Sequence, residues 1–209
     1  MAVRIVALGT ALCVAAGSAA QACQVTGNAI LDDQFRTPDP GWGRPDSITV
    51  FGPRGLALTP PPNGSAWRIN QNYRIESDWC VEVTNPATLP AGGDPKTVGD
   101  VGLWFWGRDN QNFYTATISL AGAFAIDRLV NGRWEVVVRP TPSPAIKAAP
   151  GAANELELVV TGDAGAFFVN GVRVTDFHGQ PPQNGGAPGI YGESGPTPTT
   201  WAFTRARLF

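Results

Sequence analysis

The sequence predicts an all-β protein, folded as a two-sheet antiparallel β-sandwich of the jelly-roll type. Its 25 glycines and 19 prolines are spread along 209 residues, where they separate short runs of β-type sequence. Asn131-Gly132 and Asn170-Gly171 each stand between two alternating runs, and Asn-Gly strongly favours a tight hairpin. So many strands cannot bury their apolar faces in one open sheet, so we expect two stacked sheets.

The strands are expected between these turn signals, and the Pro-rich stretches 38–45, 59–64, 140–150 and 180–188 are expected to be surface loops. We find no convincing amphipathic helix, internal repeat or linker, so residues 23–209 are expected to form one domain. In chain order the candidate strands are Ser47–Phe51, Gly55–Leu58, Ala66–Asn70, Trp79–Val83, Val101–Trp106, Phe113–Ser119, Ala123–Val130, Trp134–Arg139, Asn154–Thr161, Ala164–Val169, Val172–Phe177, Gly189–Glu193 and Trp201–Leu208.

Residues 1–22 have the pattern of an export signal peptide. Arg4 supplies the positive charge, residues 5–16 the apolar run, and Ala20-Gln21-Ala22 a small-x-small cleavage site. The apolar run is too short to span a bilayer, and no later segment has the roughly 20 apolar residues that spanning needs. We therefore expect a secreted or periplasmic protein that begins at Cys23.

After cleavage, Cys23 and Cys80 remain as a pair in an oxidising compartment, and we expect them to form one disulfide. A lipid anchor on Cys23 is the alternative, because lipoprotein signals place a cysteine there. Such signals usually have Leu three positions earlier, where this chain has Ala20. Two thiols leave no plausible cysteine metal cluster.

The charge of the chain restricts its partners. The formal net charge is −2, and the basic residues form no run. This balance argues against nucleic acid and anionic membrane surfaces as partners. We expect a monomer.

The strand at residues 101–106 has large apolar side chains on both faces. Strict alternation puts Trp104 and Trp106 on one face and Leu103 and Phe105 on the other. A simple core buries only one apolar face of a strand, so the second apolar face is the candidate for a functional surface.

Several motifs, in their order and spacing, resemble the concanavalin A-like lectin/glucanase superfamily, in particular its laminin-G-like bacterial secreted domains. The similarity covers about residues 98–209, with residues 30–35 as a first strand. It implies a jelly roll whose concave sheet often carries a glycan or substrate groove. Because this fold hosts lectins, hydrolases, lyases and adhesion modules, it implies no single activity. The motifs are Gly102-Leu103-Trp104-Phe105, residues 109–114, Asn131-Gly132-Arg133-Trp134, Asn154-x-Leu156-x-Leu158, residues 168–171 and Pro188-Gly189-Ile190-Tyr191-Gly192.

We expect a non-catalytic, lectin-like protein that binds an extracellular or cell-envelope glycan on the concave face. Aromatic rings stack on the C–H side of a sugar, and nearby polar groups bond its hydroxyls. The residues expected there are Trp104, Trp106, Arg108, Tyr191 and Glu193. In the alternative, a structural or adhesion module, Trp104 and Trp106 are buried beneath loop 140–150 or 180–188. Trp67, Trp79, Trp134 and Trp201 are expected to be packing residues, and Trp42 could be either.

A glycoside-active enzyme, either glucanase-like or keto-glycoside hydrolase-like, is the other alternative. The superfamily's Glu-x-Asp-x-x-Glu pattern is missing, and Glu155 and Glu157 share one strand face that we expect to be solvated. Glu193 facing Asp127, Glu155 or Glu157 would support catalysis. His178 and Ser194 are expected to be loop residues, so no catalytic residue is assigned.

Calcium is a further candidate ligand, because related jelly rolls often hold it with Asp and Asn oxygens. Asp32 and Asp33 near the first strand, and Asp109, Asn110 and Asn112 in one loop, have oxygens of the right type. Their spacing matches no ordered calcium loop, and Asp-Asn runs are common in turns. We therefore assign no metal ligands and expect no other cofactor.

Overall fold

The computed structural model describes residue 23 and residues 28–89 and 94–209. The expected signal peptide, residues 1–22, lies outside these described residues. Short 3₁₀ turns occur at Pro40–Trp42 and Pro95–Thr97. The strands, numbered in chain order, are β1 Leu31–Asp33, β2 Thr49–Gly52, β3 Gly55–Leu58, β4 Ser65–Ile69, β5 Ser77–Thr84, β6 Asp100–Asp109, β7 Asn112–Ser119, β8 Ala123–Val130, β9 Arg133–Pro142, β10 Ala153–Thr161, β11 Ala164–Val169, β12 Val172–His178, β13 Ala187–Glu193 and β14 Trp201–Leu208.

The strands form two antiparallel sheets, which confirms the predicted sandwich. The eight-stranded sheet has the order β12-β11-β10-β5-β14-β3-β2, and β1 pairs with the end of β14 beyond β3. The six-stranded sheet has the order β4-β13-β6-β7-β8-β9. Among the described residues, no helix is long and apolar enough to cross a membrane.

Both predicted Asn-Gly hairpins are present. Asn131 and Gly132 have φ of 49° and 75°, and Asn170 and Gly171 have φ of 51° and 78°. Positive φ at both central residues is the requirement of a type I′ turn, whose twist matches that of the strands it joins. The hairpins therefore fix the registers of β8 with β9 and of β11 with β12.

The main core lies between the sheets and is built by alternation along the strands. Leu103 and Phe105 of β6 are 0% and 4% exposed, and Ile190 of β13 is 0% exposed. Leu156 and Leu158 of β10 meet them from the eight-stranded sheet. Their neighbours in sequence therefore project from the outer faces of the two sheets, away from the core.

The expected alternation is wrong beyond Phe105. Trp106 has φ of 46°, and the ladder between β6 and β7 is irregular between Phe105 and Asp109. The extra residues of such a bulge turn the strand. Trp106 consequently joins the main core, where it packs edge-on against Tyr114 and Phe177, whereas Trp104 lies on the outer face.

A disulfide joins Cys23 to Cys80 of β5, as predicted. This bond uses the Cys23 sulfur atom, to which a lipid anchor would have to be attached. Glu155 and Glu157 alternate with core residues of β10, so they lie on the outer face of the eight-stranded sheet. Glu193 belongs to the six-stranded sheet, so neither of these two glutamates faces it.

Candidate functional site

A depression of about 580 Å³ opens on the outer face of the six-stranded sheet. Its lining includes the carboxylates of Asp100, Asp127 and Glu193, which come from β6, β8 and β13. The aromatic rings of Tyr191 and Trp134 also line it. No arginine or lysine is among the described residues that line this depression, which we call the acidic depression.

Strand register brings these carboxylates together. Gly192 of β13 pairs with Val101 of β6, so Glu193 and Asp100 follow side by side at the end of that ladder. Asp127 reaches the same face from β8, where it alternates with the core residue Ile126. Three segments that are distant in the sequence thus supply one cluster of acids.

Burial and the repulsion between neighbouring carboxylates raise pKa values in the acidic depression towards neutral pH. Burial raises the pKa of Asp100 to about 7, with further contributions from Glu193 and Asp127. The pKa of Asp127 is raised to about 6, first by burial and then by Glu193. A protonated carboxyl donates a hydrogen bond and an ionised one only accepts, so the cluster offers both functions.

Tyr191 and Glu193 are joined within the acidic depression. The Tyr191 hydroxyl donates a 2.7 Å hydrogen bond to Glu193 Oε1. Burial, followed by the charge of Glu193, raises the pKa of the Tyr191 phenol, which therefore remains protonated. This bond holds the Glu193 carboxylate at the wall of the depression.

Trp134 is the exposed aromatic ring of the site. It is 48% exposed, and its ring packs edge-on against Phe113 at 5.6 Å and Tyr191 at 6.3 Å between centroids. Below it, Trp104, Phe113, Ala187 and Tyr191 form a small outer cluster separate from the main core. Trp134 therefore packs against its neighbours, as predicted, but about half of its surface also meets solvent.

The five residues predicted to bind a ligand do not form one surface. Tyr191 and Glu193 line the acidic depression, but Trp104 is only 1% exposed and its ring lies against Gly107, beneath the surface. Trp106, 3% exposed, and Arg108 line a separate depression of about 690 Å³.

The Trp106 ring packs against Gly179, which precedes the Pro-rich stretch 180–188, and the Trp106 backbone lies against Gly186 within that stretch. The alternative in which both tryptophans are buried is thus closer to the structure than a common exposed face. Sequence reasoning missed Asp100, and it considered Asp127 only as a partner of Glu193. The sequence signal that could have identified Asp100 and Asp127 was their alternation with the core residues Val101 and Ile126.

The oxygens considered for calcium do not make one site. Asp32 is on β1, where it is paired with Arg205 at 2.7 Å, and Asp33 accepts the Trp42 indole N–H at 2.9 Å. Asp109 and Asn112 bond each other in the turn between β6 and β7 of the other sheet. These residue sets do not fit a shared cation, and calcium binding stays a prediction.

His178 and Ser194 do not act together as a nucleophile and its base. His178 is exposed, and its Nδ1 lies 3.7 Å from Asp163 Oδ1. The Ser194 hydroxyl is buried, donates to the Pro60 carbonyl at 2.9 Å and accepts from the Thr199 amide at 2.8 Å. Ser194 therefore holds the loops beside the acidic depression.

No protein-family model matches the sequence, and no curated protein matches it. Among solved structures, carbohydrate-binding module CBM66 from Bacillus subtilis has a TM-score of 0.61 and 14% identity, covering 78% of this chain and 91% of that chain. A Bacillus licheniformis β-glucanase has a TM-score of 0.59 and 13% identity, covering 88% of this chain and 99% of its own. The GH43 protein BlXynB of Bacillus licheniformis has a TM-score of 0.62 and 13% identity, with 89% of this chain and 40% of that chain covered.

Such low identities show the fold alone. The fold is a concanavalin A-like jelly-roll sandwich, as the sequence motifs indicated, and it is shared by a carbohydrate-binding module and a β-glucanase. The narrower resemblance to laminin-G-like domains stays a prediction.

Proposed function

We propose that this protein binds a neutral glycan in the acidic depression of its six-stranded sheet. The observation that carries the proposal is the half-exposed indole of Trp134, fixed against Phe113 and Tyr191 beside a group of carboxylates. The flat ring can stack on the C–H face of a sugar, while Asp100, Asp127 and Glu193 bond its hydroxyls. This is lectin-like recognition on a fold that also occurs in a carbohydrate-binding module.

The charge of the depression restricts the class of glycan. Its lining combines three carboxyl groups with no arginine or lysine among the described residues. A uronate or sulfate group placed there would meet like charge, which is unfavourable at short range. Sugar hydroxyls can donate to carboxylates and accept from protonated carboxyls, so the site favours neutral polysaccharides over anionic ones.

The first test is a binding screen against neutral and anionic polysaccharides, with and without a calcium chelator, followed by calorimetry on the best ligand. Trp134→Ala should weaken binding about tenfold, because a stacked ring contributes about 1.4 kcal/mol. Val172→Ala is the matched control, since Val172 is a 52% exposed apolar residue of the other sheet. Preference for anionic glycans, or full affinity in the Trp134 variant, would contradict the proposal.

Glycoside cleavage at the same site is the second candidate. The observation that favours it is the raised pKa of Asp100 and Asp127 beside Glu193, since glycosidases pair a protonated carboxylic acid with a carboxylate. The sharing of this fold with a β-glucanase is consistent with such a role.

Reducing-end release from any polysaccharide that binds would test this candidate. Asp100→Asn, Asp127→Asn and Glu193→Gln should each lower the rate at least a hundredfold, whereas binding should weaken much less, because the amides still hydrogen-bond sugar hydroxyls. Binding without turnover in the unmodified protein would leave the lectin-like function alone.

We further propose that the protein acts outside the cytoplasm, in the periplasm or after secretion. The disulfide between Cys23 and Cys80 supports this, because such bonds persist in oxidising compartments.

A further inference from the structure

A second group of acids, independent of the proposed glycan site, lies on the outer face of the eight-stranded sheet. Asp78 of β5 and Glu157 of β10 are diagonal neighbours on paired strands, and burial, followed by the charge of Glu157, raises the pKa of Asp78 to about 7. Asp78 Oδ1 and Glu155 Oε1 are buried without a hydrogen-bond partner among the described residues. Two carboxylates held together in this way need a proton or a cation between them.

The backbone nitrogen of Cys23 is positioned at this cluster. It donates to Glu157 Oε2 at 3.4 Å, and Arg207 Nη1 donates to the Cys23 carbonyl at 2.8 Å. The disulfide attaches the same residue to Cys80, which lies between Glu157 and Arg207 in the paired strands. Three separate contacts therefore fix one backbone nitrogen beside Glu157 and its neighbour Asp78.

In the unprocessed chain this nitrogen is a neutral amide with one N–H. Residues 20–22, Ala-Gln-Ala, end directly before it and have the small-x-small pattern of an export cleavage site. We infer that the Ala22–Cys23 bond is a processing site, and that the α-amino group released there becomes the cation that pairs with Glu157 and Asp78.

The step is a peptide hydrolysis by an export-associated peptidase. Water attacks the Ala22 carbonyl carbon and the C–N bond breaks. Ala22 then ends in a carboxylate. The Cys23 nitrogen keeps its own hydrogen and takes up two protons from the water, so it becomes an ammonium ion. That ion has three N–H donors in place of one, so it can serve Glu157 and a second carboxylate together. Processing thus supplies charge to the fold as well as releasing the protein.

Among the described residues, the neighbouring cations act on Asp32 and Glu155, and none acts on Asp78. Arg205 and Arg207 are both paired with Asp32, at 2.7 and 3.4 Å. Glu82 adds negative charge beside Glu155, and Arg207 and Lys147 offset it only in part, since the pKa of Glu155 is raised to about 7. The charged groups that act on one another around Glu155 and Glu157 are Asp32, Asp78, Glu82, Lys147, Arg205 and Arg207.

The test begins with the full chain expressed in a bacterium that exports it, and with the intact mass of the purified product. The expected product begins at Cys23 and contains one internal disulfide. The α-amino pKa is then measured from the pH dependence of its labelling by an amine-reactive reagent. An ordinary α-amine has a pKa of about 7.7–8.0, and the ion pair should raise it by about one unit.

Glu157→Gln should lower this pKa by at least half a unit, and Asp78→Asn provides a second variant should the first not fold. Glu76→Gln is the matched control, because Glu76 is an exposed glutamate directly before β5, the strand that carries Asp78. It should leave the α-amino pKa unchanged. A product that begins elsewhere, a lipid-modified Cys23, or an α-amino pKa at or below the ordinary value would overturn the inference. None of these results depends on glycan binding.

Discussion

Replacing Asp100 by Asn should remove part of the pH dependence of stability. In the folded protein the pKa of Asp100 is raised from 3.8 to about 7, chiefly by burial. Between these two pH values the folded state binds a proton that the unfolded state has lost. Stability from this group is therefore fully present below pH 3.8, falls as the pH rises, and levels off above about pH 7.

The size of the effect follows from the shift. A shift of about three units corresponds to a limit of about 4 kcal/mol, at 1.36 kcal/mol per unit. Water in the open depression screens the charge, so we expect about 1–2 kcal/mol. Asparagine has nearly the same shape and does not ionise, so Asp100→Asn should be more stable than the unmodified protein at pH 8.

Urea unfolding at pH 5, 6, 7 and 8 measures this difference directly. The loss of unfolding free energy from pH 5 to pH 8 should be about 1–2 kcal/mol smaller in Asp100→Asn than in the unmodified protein. Glu76→Gln, at an exposed position, should retain the full loss. Other titrating groups cancel in the comparison, so equal losses in all three proteins would refute the reasoning.

Two further predictions concern stability. Removing the disulfide with the double variant Cys23→Ala/Cys80→Ala should lower the unfolding free energy by about 4 kcal/mol, because the bridge closes a loop with a sequence separation of 57; an unchanged urea midpoint would contradict this. Gly107→Ala places a Cβ 1.6 Å from Trp104 Cη2, so it should cost about 1–3 kcal/mol and shift the tryptophan fluorescence. Gly52→Ala is its control, because no atom lies within 4 Å of the new Cβ. Equal stability of the two glycine variants would contradict the prediction, since Trp104 would then move aside at no cost in free energy.

The strands were predictable because their signals are local. Gly55–Leu58, Ala123–Val130, Ala164–Val169 and Trp201–Leu208 have the predicted bounds, since turn residues at both ends allow few alternatives. The disulfide was predictable because only Cys23 and Cys80 remain after the expected cleavage. In each case the deciding residues lie within a few positions of the feature, or no competing partner exists.

The face of Trp106 was not predictable, because a bulge forms only when β6 pairs with β7. Alternation assumes an unbroken strand, and one irregularity sends every later side chain to the other face. The same reason explains Trp134, whose exposure depends on how its strand lies beside Phe113 and Tyr191. Single-strand patterns do not contain that information.

By itself, the sequence determined the all-β class, the strands, the hairpins and the cysteine pair, because alternation and turn chemistry act over a few residues. Only the tertiary structure decided which acids meet. Asp100, Asp127 and Glu193 gather on one sheet, whereas Glu155 and Glu157 lie on the other, beside Cys23. Sheet order and register set these distances, and both depend on how segments far apart in the chain pack around the shared core.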